Sequence, residues 1–183
     1  SICEHVVLHR SQDHGATWRS KHHDHLWGRE PYLNAFAGDV LLITTHFLEV
    51  DVRNGTGHLT VYLHRSPDGG HSWTSEHIGV ERIPEEVPYT YTTRNIAALP
   101  DGSYLMGVGC SFGRDYRFRS VDQGVSWRVE RMAVEGVDTA AYEYSVFHEG
   151  ILFHTDSGRL LLLARCDPRR LRFTVPVPGL PQA

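Results

Sequence analysis

Cysteine is scarce: Cys3, Cys110 and Cys166 are the only three in 183 residues. They are too few and too widely spaced for a disulfide framework or a zinc knuckle, and the odd count leaves one thiol unpaired unless the chain dimerises covalently. Long hydrophobic runs are missing as well. The longest, such as Val40 to Ile43 and Leu160 to Ala164, fall far short of the roughly 20 residues of a membrane-spanning helix, so no membrane span is expected. There is no excess of positive charge: 18 Lys plus Arg against 22 Asp plus Glu give a net charge of −4. The basic residues are scattered rather than banded, which argues against a nucleic-acid partner. Neither a Gly-x-Ser-x-Gly nucleophile elbow nor a Gly-rich phosphate loop occurs. The chain opens on Ser1 without a basic and then apolar leader, so either a leader was removed or the sequence is a piece of something longer.

What the chain does have is enough apolar material for a core, 40% hydrophobic and 10% aromatic residues, and an internal repeat. Ser11-Gln-Asp13-His-Gly15-Ala-Thr17-Trp18, Ser66-Pro-Asp68-Gly-Gly70-His-Ser72-Trp73 and Ser120-Val-Asp122-Gln-Gly124-Val-Ser126-Trp127 share the pattern Ser-x-Asp-x-Gly-x-Thr/Ser-Trp, with the tryptophans 55 and 54 residues apart. Arginine-ended segments that alternate like strands lead into the copies, as in Leu59 to Arg65 and Asp115 to Arg119. The pattern predicts a tight turn. Asp bonds backbone amides downstream, Gly supplies a positive φ, the hydroxyl residue adds a bond, and Trp plugs an apolar gap between neighbouring units. Asp13, Asp68 and Asp122 are therefore read as turn residues, not as acids or calcium ligands.

The repeat resembles the Asp-box, or bacterial neuraminidase repeat, of the sialidase superfamily. The resemblance implies an all-β chain: a six-bladed β-propeller of four-stranded antiparallel blades, with each box between third and fourth strands on the face away from the active site. The chain would cover roughly three blades, as blade parts 1–28, 29–84, 85–133 and 134–167, followed by an irregular tail at 168–183. Because a propeller closes on itself to remove its sheet edges, the remaining blades would be needed for closure.

A second register lies between the boxes. The segments from Glu30, Arg94 and Glu149 each form an apolar strand, a turn (Gly38, Gly102, Gly158) and a second apolar strand. Antiparallel pairing would set Glu30 beside Thr45, Arg94 beside Gly109, and Glu149 beside Arg165. On innermost propeller strands, all three pairs would meet at one mouth of the central channel.

By the resemblance, Glu149 is the general base that polarises a tyrosine nucleophile. Arg165 binds the carboxylate of sialic acid through its planar fork, with Arg94 and Glu30 as further substrate-binding residues. The substrate would be a glycan, with no cofactor and an extracytoplasmic location. The chain departs from the family pattern in several places. Arg82-Ile83-Pro84 has the spelling of the family's first arginine motif but follows the second box. The third arginine and the tyrosine would lie beyond Ala183. The general acid has only unsupported loop candidates, Asp24, Asp51 and Asp138. The run Lys21-His22-His23-Asp24-His25 contains ligand types, but consecutive residues of an extended loop point apart, so no metal site is expected. Tyr89 to Thr93 is read as inter-blade packing. The alternative to an exo-sialidase-like hydrolase is a non-catalytic Asp-box propeller that binds carbohydrate or protein.

Overall fold

The structure, a computed structural model, describes residues 3–111, 114–132 and 149–164. Arg165, Cys166, Asp138 and the tail at 168–183 lie outside those residues. The described chain is all-β, built from antiparallel sheets. Its strands are β1 (His5–Arg10), β2 (Arg19–Trp27), β3 (Arg29–Ala35), β4 (Leu41–Phe47), β5 (Thr60–Ser66), β6 (Thr74–Ile78), β7 (Tyr91–Thr92), β8 (Ala97–Ala98), β9 (Tyr104–Ser111), β10 (Arg114–Ser120), β11 (Arg128–Met132), β12 (Ile151–His154) and β13 (Leu160–Leu163). They pair as β1-β2, then β3-β4-β5-β6, then β7 and β8 sharing one side of β9 with β10 and β11 beyond it, and finally β12-β13.

The period-2 alternation of strands explains how the sheets stack, because neighbouring residues on one strand serve opposite faces. On β4, Leu42 enters a core with Met106, Val108, Phe118 and Trp127 of the third sheet, whereas Ile43 joins Val6, Leu26 and Trp73 on the other side. On β9, Tyr104 and Met106 face the second sheet, and Leu105 turns with Ala97 toward Leu152 of the fourth. Each sheet therefore packs on the next in chain order, and the two middle sheets are covered on both faces.

The sequence repeat forms the same turn three times, between β1 and β2, β5 and β6, and β10 and β11. Ser11, Ser66 and Ser120 donate through Oγ to Asp13, Asp68 and Asp122 at 2.7, 2.8 and 2.8 Å. Each serine Oγ also accepts the amide of Gly15, Gly70 or Gly124 at 2.8 Å. The other aspartate oxygen takes the hydroxyl of Thr17, Ser72 or Ser126. The glycines have φ of 92°, 87° and 80°, and a β-carbon on Gly124 would stand 3.0 Å from Leu42 Cδ1, so glycine is required there for both conformation and space.

An arginine immediately precedes the serine of each turn, and the first two tie successive sheets together, whereas Arg119 bonds Asp101 and Ser103 of its own sheet. Arg10 Nη2 donates to the Gly69 carbonyl, and Arg65 Nε donates to the Gln123 carbonyl at 2.9 Å. Both acceptors follow the aspartate of the next sheet's turn, at residues with φ of 65° and 59°. The left-handed conformation aims that carbonyl out of the turn toward the preceding sheet.

These turns predict the acid behaviour of the fold. Hydrogen bonds from Thr17, first through its hydroxyl, lower Asp13 from 3.8 to about 2. Ser126 does the same for Asp122, to about 2, and Ser72 holds Asp68 lower still. Burial pushes His64 down from 6.5 to about 4. All four groups have folded values below their unfolded ones, so each contributes stability above its unfolded pKa that is lost as pH falls. Urea midpoints should be flat above about pH 6.5, drop between 6.5 and 4 as the unfolded chain protonates His64, and drop again from about 4 to 2 as the turn aspartates protonate. His64→Gln should shrink the first drop and leave the second unchanged, the remainder of the first coming from His23, whose pKa is also lowered.

Candidate functional site

The hairpins that carry the predicted charges form around Gly38, Gly102 and Gly158, with φ of 72°, 80° and 82°. Their far ends meet. The backbone of Arg94 joins three sheets there: its amide donates to the Gly150 carbonyl at 2.8 Å, and its carbonyl accepts from Thr44 Oγ1 at 3.4 Å. Its guanidinium lies between two carboxylates, with Nη2 3.7 Å from Glu149 Oε1 and 3.9 Å from Glu30 Oε2. Three of the sequence-derived site residues, from three successive sheets, are thus in one cluster, while Arg165 lies outside the described residues.

Local backbone geometry sets the two glutamates. β3 and β4 pair as Arg29 with His46 and Tyr32 with Thr44, so Glu30 and Pro31 together oppose Thr45 in a bulge. Bulges re-aim side chains and end regular pairing. Glu30 has φ of 51° and Glu149 φ of 48°, a left-handed conformation that costs a non-glycine residue about 1–3 kcal/mol. The other non-glycine residues with positive φ, His14, Asp39 and Gln123, sit in tight turns. Beside Glu149, β12 and β13 pair from Ile151 with Leu163 to His154 with Leu160. The hairpin around Gly102 differs from the expectation: Gly109 pairs with Tyr91, not Arg94. The inner strand breaks between β7 and β8, and Arg94 sits in the break, which frees its backbone for the neighbouring sheets.

Two residues that the sequence pattern did not single out join the cluster. Arg29 Nε lies 3.7 Å from Glu30 Oε1, and His46 Nδ1 lies 3.9 Å from Glu30 Oε2. The amide of Thr92 donates to His46 Nε2 at 3.3 Å, which requires a lone pair on Nε2 and puts the proton of the neutral ring on Nδ1, toward Glu30. The signal for both residues was their register one step beyond Thr45, obscured by the bulge.

These charges do little for stability. The side chains of Glu30, Arg94 and Glu149 are 43%, 36% and 39% exposed, and such pairs contribute about 0–1 kcal/mol each. Separations of 3.7–3.9 Å are ion pairs rather than hydrogen bonds.

The remaining candidates have other roles. Asp24 lies within β2, exposed and 3.5 Å from His22, not on a loop. Asp51 is buried. Burial raises its pKa, but hydrogen bonds and charge from Arg53 outweigh that and hold it below the ordinary value, so it does not keep the proton a general acid needs. Arg82 pairs with Glu76. Tyr91 is in the core with Tyr89 packed against it. The run from Lys21 to His25 is strand rather than loop, and among the described residues no three His, Cys, Asp or Glu side chains are placed to hold a metal ion. Neither Cys3 nor Cys110 is in a disulfide, and no described helix is long and apolar enough to cross a membrane. No protein-family model matches the chain, and no curated protein matches it.

Proposed function

We propose that the chain is part of a sialidase-like β-propeller that hydrolyses a terminal sialic acid or a related glycan, with the Glu30, Arg94 and Glu149 cluster in its substrate site. The observation that carries this reading is the convergence of charged residues from three consecutive sheets, in the second and third at the sheet ends opposite their box turns. The stacking of antiparallel sheets in chain order supports the propeller architecture, since that is how blades bury both faces. Glu149 acts as the general base, Arg165 and Arg94 receive anionic or polar groups of the sugar, and Glu30 accepts its hydroxyls. The two carboxylates, both within 4 Å of one Nη2 atom, are close enough for one sugar ring to touch both.

One observation favours the second reading, a non-catalytic module. Arg94 is already flanked by two carboxylates, a setting that suits a neutral sugar better than an acidic one. The deciding experiment is a fluorogenic sialoside assay on the full-length protein beside a glycan-binding measurement with the same sugars. Turnover supports the hydrolase, and binding without turnover supports the module. Neither binding nor turnover overturns both.

A further inference from the structure

The box turns leave an outer groove between successive sheets, and the repeat provides its own comparison. Between the second and third sheets the groove has a volume of about 340 Å³ and is lined by Arg65, Thr74, Glu76 and Val125 among others. Between the first and second it has a volume of about 420 Å³, and the corresponding residues are Arg10, Arg19, Lys21 and His71. The geometry is shared, but the charge is not: one arginine facing one glutamate has become three cations facing one carboxylate, Asp13.

We infer that this first groove is a binding site for a small ligand carrying a sulfate or phosphate ester. Arg19 and Lys21 are two apart on β2 and so share a face. Arg19 is directly opposite Arg10 in the strand register, a like-charge pair that destabilises a sheet unless something offsets it. The third sheet has the same arrangement, Arg119 opposite Arg128, and there Asp101 and Glu130 neutralise it. In the first sheet no carboxylate pairs with Arg19 or Lys21 among the described residues. Asp13 also lines the groove, but Ser11 and Thr17 engage its carboxylate. Arg10 is held by the Gly69 carbonyl and lies 3.4 Å from His71 Nε2, so it is preoriented at the groove wall. The positive field is felt nearby. The pKa of His23 is lowered by burial first and then by Lys21 and Arg10. An anion with several oxygens offsets this field, and a volume of about 420 Å³ is in the range of small-ligand sites.

The groove is at the opposite end of the sheets from the Glu30 cluster, roughly 20 Å away along seven-residue strands, and the inference does not depend on the glycan reading. The test is calorimetric titration of the full-length protein with glucose 6-sulfate, glucose 6-phosphate and glucose. At least one charged sugar should bind and glucose should not, the tighter of the two naming the ester. Arg19→Ser with Lys21→Glu, which copies the charge of the second groove, should weaken binding at least about tenfold at a melting temperature no lower than that of the unmodified protein. Loss of the added anion's field should also be visible at His23, whose NMR titration should move upward with ligand in the unmodified protein and stay put in the variant. Absence of binding by both esters, or equal binding by the double variant, overturns the proposal.

Discussion

Glu149→Gln in the full-length protein should lower sialoside turnover by about 10²- to 10⁴-fold, the usual contribution of a general base, while the melting temperature stays within a degree or two. The separation of activity from stability follows from how the site is made. The carboxylate of Glu149 is 39% exposed and 3.7 Å from Arg94, an arrangement that contributes little to folding. The joint between the sheets is backbone: the Arg94 amide on the Gly150 carbonyl and the Arg94 carbonyl under Thr44. Arg94→Ala keeps both bonds and, on the proposed hydrolase reading, should mainly raise KM, because there the guanidinium would contact bound sugar before and during reaction alike. Steady-state kinetics beside thermal melts on the same samples provide the check. Unchanged turnover in Glu149→Gln would remove Glu149 from the chemistry, and a melted variant would make it a structural residue.

The parts of the fold legible in the sequence were those written in local chemistry. A Ser-x-Asp-x-Gly turn is encoded by its own side chains, so all three copies form with nearly the same distances. The hairpins at Gly38, Gly102 and Gly158 were legible for the same reason. The meeting of Glu30, Arg94 and Glu149 followed from aligning those hairpins. What local chemistry does not encode is a break in register. The Glu30-Pro31 bulge and the split of the inner strand into β7 and β8 are imposed by neighbouring sheets, so Arg94 moved away from Gly109 and His46 came into the cluster unannounced. The strand character of Lys21 to His25 was hidden by its polarity: His23 packs its ring against Trp73 at 6.3 Å, a tertiary contact that residue-type patterns do not announce.

The box tryptophans should divide into two classes, and the division tests ring closure. Trp73 is 8% exposed and packs with Val6 and Leu26 of the preceding sheet. Trp127, also 8% exposed, packs with Leu42 and Leu63 of its preceding sheet. Trp73→Ala and Trp127→Ala should each cost about 3–5 kcal/mol, the usual range for emptying a buried aromatic site. Trp18 occupies the same place in the motif and donates to Gly15 like its counterpart at Gly70, yet it is 61% exposed, because no described sheet precedes β1 and β2. On residues 1–183 alone, Trp18→Ala should therefore cost less than about 1 kcal/mol. In a longer protein whose blades close into a ring, another sheet must cover that indole, and the same substitution should cost as much as Trp73→Ala. Urea unfolding of the three variants in both contexts reads the difference directly. Equal, small losses at Trp18 in both would mean that nothing packs against the first sheet, and the propeller reading would fall with it.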